Sequence, residues 1–213
     1  MGRVAELESL GDVALSMKVY EFGPTGKPKE KRFKEYSMLA TDDETFNYIA
    51  PHGEGLNGVP FARKWNTPTF YIEKPLIPKP NFWRVCLAAA CDQKTRESAG
   101  GAMEMSGEFL PIRVEGEGGK YWIYNITNTI NVVDEEGSEW QKLGPEPKDR
   151  MLKKPAFIPT RFGEETIFKI PQDRGARMYC VEFTGDPDDG EFKAVVEHSG
   201  LTGLEFTLVW TDE

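Results

Sequence analysis

Residues 107 to 126 decide the fold: Gly107-Glu108-Phe109-Leu110-Pro111-Ile112-Arg113-Val114, then Glu115-Gly116-Glu117-Gly118-Gly119-Lys120, then Tyr121-Trp122-Ile123-Tyr124-Asn125-Ile126. Leu110, Ile112 and Val114 alternate with Phe109, Pro111 and Arg113, which is the period of a strand with one buried face. The glycine-rich segment reads as a turn, and the second run returns as an antiparallel strand. Tyr121, Ile123 and Asn125 point one way and Trp122, Tyr124 and Ile126 the other, so this strand is expected to be covered on both faces. The turn precedes a strand, not a helix, so it is no phosphate-cradling loop. Asn125-Ile126-Thr127 fits a glycosylation sequon but is read here as strand.

Outward toward the C-terminus, Ala156–Arg161, Thr166–Ile170 and Met178–Thr184 read as further strands separated by Gly and Pro. A short helix follows, with Asp188 or Asp189 as N-cap, Phe192, Val195 and Val196 on one face, and Gly200-Leu201 as a Schellman end. Leu204, Phe206 and Leu208 then alternate as a last strand. Toward the N-terminus, Asp92–Met105 reads as a helix capped by Asp92. Gly100 and Gly101 weaken its interior by about 1 kcal/mol each, which predicts a short or frayed element.

Phe82–Ala90 fits a buried strand or a turn of helix equally by period. Between Phe33 and Pro80 prolines punctuate scattered aromatics, which excludes long helices and predicts short strands. Trp65 and the pair Phe70-Tyr71 stand out there as core or interface anchors. The segment from Gly23 to Arg32 reads as a loop, Met17–Phe22 as a first strand, and residues 1–16 as an N-terminal extension. The expected class is therefore α+β, mainly antiparallel sheet with a few short helices, in a single domain over 17–213.

Composition bounds the function. The chain has 213 residues, 39% hydrophobic and 12% aromatic, enough apolar surface to fold without staples. Glu6, Glu8 and Asp12 interrupt any signal-peptide pattern, and no apolar run approaches the roughly 20 residues that cross a bilayer. The three cysteines, Cys86, Cys91 and Cys180, are an odd count that suits a reducing compartment, so the expected location is cytoplasmic.

The net charge of −9 is concentrated at the end of the chain. From Val181 to Glu213 nine carboxylates face the single Lys193, an excess of eight negative charges. Nucleic acid is repelled there, and the excess reads either as a surface that attracts a basic protein or as a solvated acidic face that keeps the protein soluble.

Chemistry is sparsely provided. Only His52 and His198 are present, and the cysteines have no zinc-site spacing, so no metal, no cofactor and no catalytic residue is predicted. Asp186-Pro187-Asp188-Asp189-Gly190 lacks the spacing of a calcium loop and reads as a turn before the helix cap. His198 falls at a helix C-terminus, where its charge suits the dipole.

Roughly Pro68 to Trp210 resembles an immunity-protein family of bacterial polymorphic toxin systems. Two blocks carry the resemblance. One is Gly107-Glu108-Phe109-Leu110-Pro111-Ile112 followed by Lys120–Ile126, Val132-Val133-Asp134 and Ser138. The other is Phe192-Lys193-Ala194-Val195 followed by Gly200-Leu201-Thr202-Gly203-Leu204-Glu205-Phe206. The resemblance implies a protein that binds and neutralises a cognate toxin, with no catalytic residues of its own. The candidate partner contacts are Asp186, Asp188, Asp189 and Glu191, which are suited to a basic toxin, together with Trp65 and Phe70. The alternative is an enzyme or ligand-binding domain whose site gathers His52, Arg63 and Glu108.

Overall fold

The computed structural model describes residues 16–24, 39–41, 56, 58–72, 79–85, 88–146, 149–164, 166–184 and 191–212. The Gly107–Ile126 hairpin forms as its alternation predicts. Strand β6 (Gly107–Val114) pairs antiparallel with β7 (Tyr121–Ile126), with Leu110 opposite Ile123 and Ile112 opposite Tyr121. Every residue of β7 is buried. Trp122, Tyr124 and Ile126 enter one hydrophobic cluster, and Tyr121 and Ile123 another.

The remaining elements serve those two faces. β2 (Leu39–Ala40), β3 (Thr69–Ile72), β4 (Phe82–Val85) and β5 (Ala88–Asp92) join the hairpin in a six-stranded sheet ordered β2-β3-β6-β7-β5-β4. Its one parallel pair is β3 with β6. The ambiguous run at Phe82–Ala90 is thus two strands, β4 and β5, paired antiparallel. A second sheet is ordered β10-β11-β1-β12, from Ile167–Phe168, Met178–Thr184, Ser16–Pro24 and Leu204–Thr211. Phe22, Met178 and Cys180 of that sheet meet Trp122, Tyr124 and Ile126 in a shared cluster. The opposite face of the second sheet packs Met17, Val19, Tyr179 and Val181 against Val132, Val133, Leu152 and Phe157. Mainly antiparallel sheet with two helices among the described residues makes this an α+β fold.

Helix α1 (Gln93–Glu104) starts where expected, with the Asp92 carboxylate accepting the Thr95 N–H at 2.9 Å. It runs for 12 residues despite Gly100 and Gly101, because Thr95, Ala99, Gly100 and Met103 form a buried face. Packing of that face outweighs the glycine cost. Helix α2 (Phe192–His198) ends in the expected Schellman motif. Leu201 N–H reaches the Val196 carbonyl and Gly200 N–H the Glu197 carbonyl, with Gly200 at φ 58°.

Two expectations are corrected. Ala156–Arg161 is not a strand: Phe157 makes a single bridge to Val133, and Pro159 opens a 3₁₀ turn over Pro159–Arg161. Proline has no N–H for a ladder, which ends pairing there. The hairpin of β8 (Glu139–Lys142) and β9 (Arg150–Lys154) also forms where no strand is expected. β1 also takes in Ser16, expected in the extension over 1–16, and Gly23 and Pro24, expected in the Gly23–Arg32 loop; residues 1–15 and 25–32 and Cys86 lie outside the described residues.

Ile123 has no exposed surface and lies opposite Leu110, which is equally buried. Ile123→Ala is expected to lower unfolding free energy by about 2 to 5 kcal/mol in denaturant titration. A change under about 0.5 kcal/mol, typical of surface positions, would contradict this placement.

Candidate functional site

A crossing segment from Leu56 to Ile72 lies along β6 and is tied to it at successive points. The Asn125 amide donates to the Val59 carbonyl at 2.9 Å, and the Glu108 carboxylate accepts the N–H groups of Phe61 and Ala62 at 2.5 and 3.1 Å. The Trp65 indole N–H donates to the Pro111 carbonyl at 2.8 Å. Arg113 N–H then reaches the Pro68 carbonyl and Glu115 N–H the Phe70 carbonyl, which carries the segment into β3. These bonds absorb backbone groups that a loop laid on a sheet would otherwise bury unpaired.

The face of β6 carrying Phe109, Pro111 and Arg113 is left partly open. An open groove of about 500 Å³ lies over it, lined by Thr69, Pro111, Arg113, Glu115, Lys120 and Trp122 among others. Beside it the Arg96 guanidinium, from α1, lies 4.8 Å from the Trp122 ring centre and 5.0 Å from that of Phe109. Arg96 also pairs with Glu104 at 3.3 Å. Trp122 therefore belongs to both the groove and this cationic–aromatic shelf. The turn end is pinned by Lys79, whose ammonium lies 2.6 Å from the Glu117 carboxylate and 2.7 Å from the Tyr121 hydroxyl. The hydrogen bond from Lys79 holds Glu117 below the usual carboxylate range.

The sequence-predicted contacts divide. Trp65 is half-buried at the margin of β6 and packs against the cluster of Phe70, Leu110 and Ile112. Phe70 has no exposed surface; it is a core residue of the cluster beneath the crossing segment and offers nothing to a partner. Glu191 is also buried. Its carboxylate accepts the Phe183 N–H at 2.6 Å, so it stitches α2 to β11 instead of facing solvent. Glu191, not Asp188 or Asp189, precedes the first helical turn. Asp186, Asp188 and Asp189 lie outside the described residues, as does His52. The Glu108 carboxylate accepts the Phe61 and Ala62 amides, the two residues before Arg63, which is exposed on the 3₁₀ turn Ala62–Lys64. Other acids of the C-terminal quarter are also engaged: Glu182 and Glu197 both lie 3.2 Å from the Lys193 ammonium, and Asp212 accepts the Met17 N–H at 2.7 Å.

Arg96 was not legible as a functional residue, since it sits in a polar helix with nothing in sequence to place it over Trp122. The alternation of Phe109, Pro111 and Arg113 was legible.

Buried ionisable groups elsewhere hold the chain together. Lys169, 3% exposed, donates to the Leu56 carbonyl, and burial pulls its ammonium down to about 8 against the opposing field of Asp173. Burial raises Asp173, against the pull of Arg177 at 3.0 Å. Burial likewise raises the Cys91 and Cys180 thiols, keeping them protonated and unreactive at neutral pH. Among the described residues, no three His, Cys, Asp or Glu side chains are grouped to hold a metal ion. No helix among them is long and apolar enough to cross a membrane. No protein-family profile and no curated protein matches the chain.

Lys169 sets a pH signature. Between about pH 8 and the ordinary lysine value near ~10.4, the unfolded chain keeps a proton that the folded chain has released. The unfolded state then binds more protons, so this residue's contribution to stability rises with pH across that window. The unfolding free energy of the natural chain relative to Lys169→Met is therefore expected to increase from pH 8 to 10 in parallel denaturant titrations. A flat or falling difference would contradict the assignment.

Proposed function

We propose that the chain is a non-enzymatic binding protein that seats a protein partner on the β6 groove and its arginine–aromatic shelf. The observation that carries this is Arg96 stacked on Phe109 and Trp122 beside an open groove of about 500 Å³. Arginine and tryptophan dominate the energetic centres of protein interfaces, because they combine large contact area with directed polar groups.

The sequence resemblance supports a sharper reading, a cytoplasmic immunity protein that neutralises a cognate bacterial toxin. The partner would be basic, attracted by the net negative C-terminal quarter. Of the acids named for that role, Asp186, Asp188 and Asp189 remain the candidates.

The test is co-expression with the product of the adjacent open reading frame, followed by growth measurement and co-purification. Rescue of growth and a stoichiometric complex are expected. In the purified complex, Arg96→Ala with Arg113→Ala should weaken affinity at least about ten-fold, near 1.4 kcal/mol, with the thermal midpoint of the free chain little changed. A complex of unchanged affinity would exclude the groove; neither rescue nor complex would contradict neutralisation of that toxin.

A further inference from the structure

The groove carries a local charge opposite to that of the whole chain. Acidic residues outnumber basic ones by 35 to 26, yet the crossing segment from Leu56 to Ile72 contains no acid and presents Arg63 and Lys64, both exposed. Bonds to β6 bring that turn to the groove. Trp65, next to Lys64, donates to the Pro111 carbonyl, and the Arg113 guanidinium reaches the Thr67 carbonyl at 3.4 Å. Arg113 and Lys120 line the groove itself and are also exposed. Among the described residues none of these four cations has an ion pair.

The acids of this surface are largely taken. Glu108 accepts the N–H groups of Phe61 and Ala62 and the Asn125 amide, and Glu104 is paired with Arg96. Of the two carboxylates that line the groove, Glu117 is held by Lys79, which leaves only that of Glu115 unengaged. Four uncompensated cations thus face one carboxylate. Apolar area lies among them: Pro111 is exposed, and Tyr71, 38% exposed, shares the face of Thr69, which stands opposite Arg113 in the ladder.

A protein segment with carboxylates between apolar side chains matches both features, since guanidinium and ammonium groups form their strongest hydrogen bonds to carboxylates. A single-stranded nucleic acid would bring a phosphate at every nucleotide against a chain of net charge −9, a repulsion that a few carboxylates limit. We propose that the β6 groove and its Arg63–Lys64 margin take an acidic, extended segment of the partner protein. This rests on the groove being the partner surface, and it concerns the stretch seated there, whatever the partner's net charge.

The probe is a short peptide alternating glutamate and valine, with a lysine–valine peptide and an oligothymidylate as comparisons, added to the full-length chain and followed by amide NMR. The glutamate peptide should shift resonances of β6 and of residues 58–72, and lose affinity at least about ten-fold on raising salt from about 0.02 to 0.5 M. Arg63→Glu with Lys64→Glu, and separately Lys120→Glu, should each weaken it about ten-fold with the thermal midpoint unchanged, because these side chains are exposed and unpaired. Equal binding of the lysine peptide, tighter binding of the oligothymidylate, shifts confined to other elements, no binding, or unchanged affinity in the variants would overturn the proposal. The groove reading fails separately: it falls if Arg96→Ala with Arg113→Ala leaves the affinity for the co-expressed partner unchanged. If that pair weakens the complex while the glutamate variants do not, the groove stands and the acidic segment is overturned.

Discussion

The structure depends on covering both faces of one strand. β7 places Trp122, Tyr124 and Ile126 on one side and Tyr121 and Ile123 on the other, all buried. A strand with two bulky faces cannot sit at a surface, so the chain must supply a layer on each side. The second sheet and both helices provide one layer. The crossing segment, with Leu56, Phe61, Trp65 and Phe70, provides the other. The alanines of β5 contribute to both clusters, Ala89 to one and Ala88 and Ala90 to the other.

Laying an irregular segment over a sheet incurs a polar cost, and the chain meets it with charged and amide side chains. Glu108, Asn125, Trp65 and Lys169 each satisfy, or are satisfied by, a backbone group across this junction. Where the junction is buried, as at the Lys169–Leu56 bond, losing one partner would leave a buried group unpaired at about 1 to 3 kcal/mol. These side chains are therefore structural, and the same holds for Glu191, which fastens α2 to β11. Polar groups that look available in sequence are largely consumed in the fold.

That consumption separates what was legible from what was not. Period-two alternation located β1, β6, β7 and β11, which bury a face or two, and also β12, whose Leu204 and Phe206 are only partly buried against the core and whose Leu208 is exposed. Asp92 and Gly200-Leu201 were legible as helix ends, because caps act through neighbouring backbone groups. The β8–β9 hairpin escaped notice because Leu152 is the only fully buried residue of its strands, with Trp140 partly buried, among charged neighbours. The site was less legible. Phe70 and Glu191 carry the residue types of an interface, yet tertiary contacts bury both. Arg96 acquires its place only when α1 packs beside Trp122, a contact between residues 26 positions apart that no local pattern encodes.

Pro111 and Arg113, toward the turn end of the β6–β7 hairpin, are exposed beside the groove. The chemistry there, arginine on aromatic rings beside a groove, suits a protein surface. The most direct measurement is hydrogen–deuterium exchange of the chain alone and in complex with the co-expressed neighbouring gene product. The account predicts slowed exchange on binding at β6 from Phe109 to Glu115 and across the crossing segment near Trp65, with the already protected core of β7 unchanged. Protection confined to elements away from the groove, with β6 exchanging as in the free chain, would contradict it.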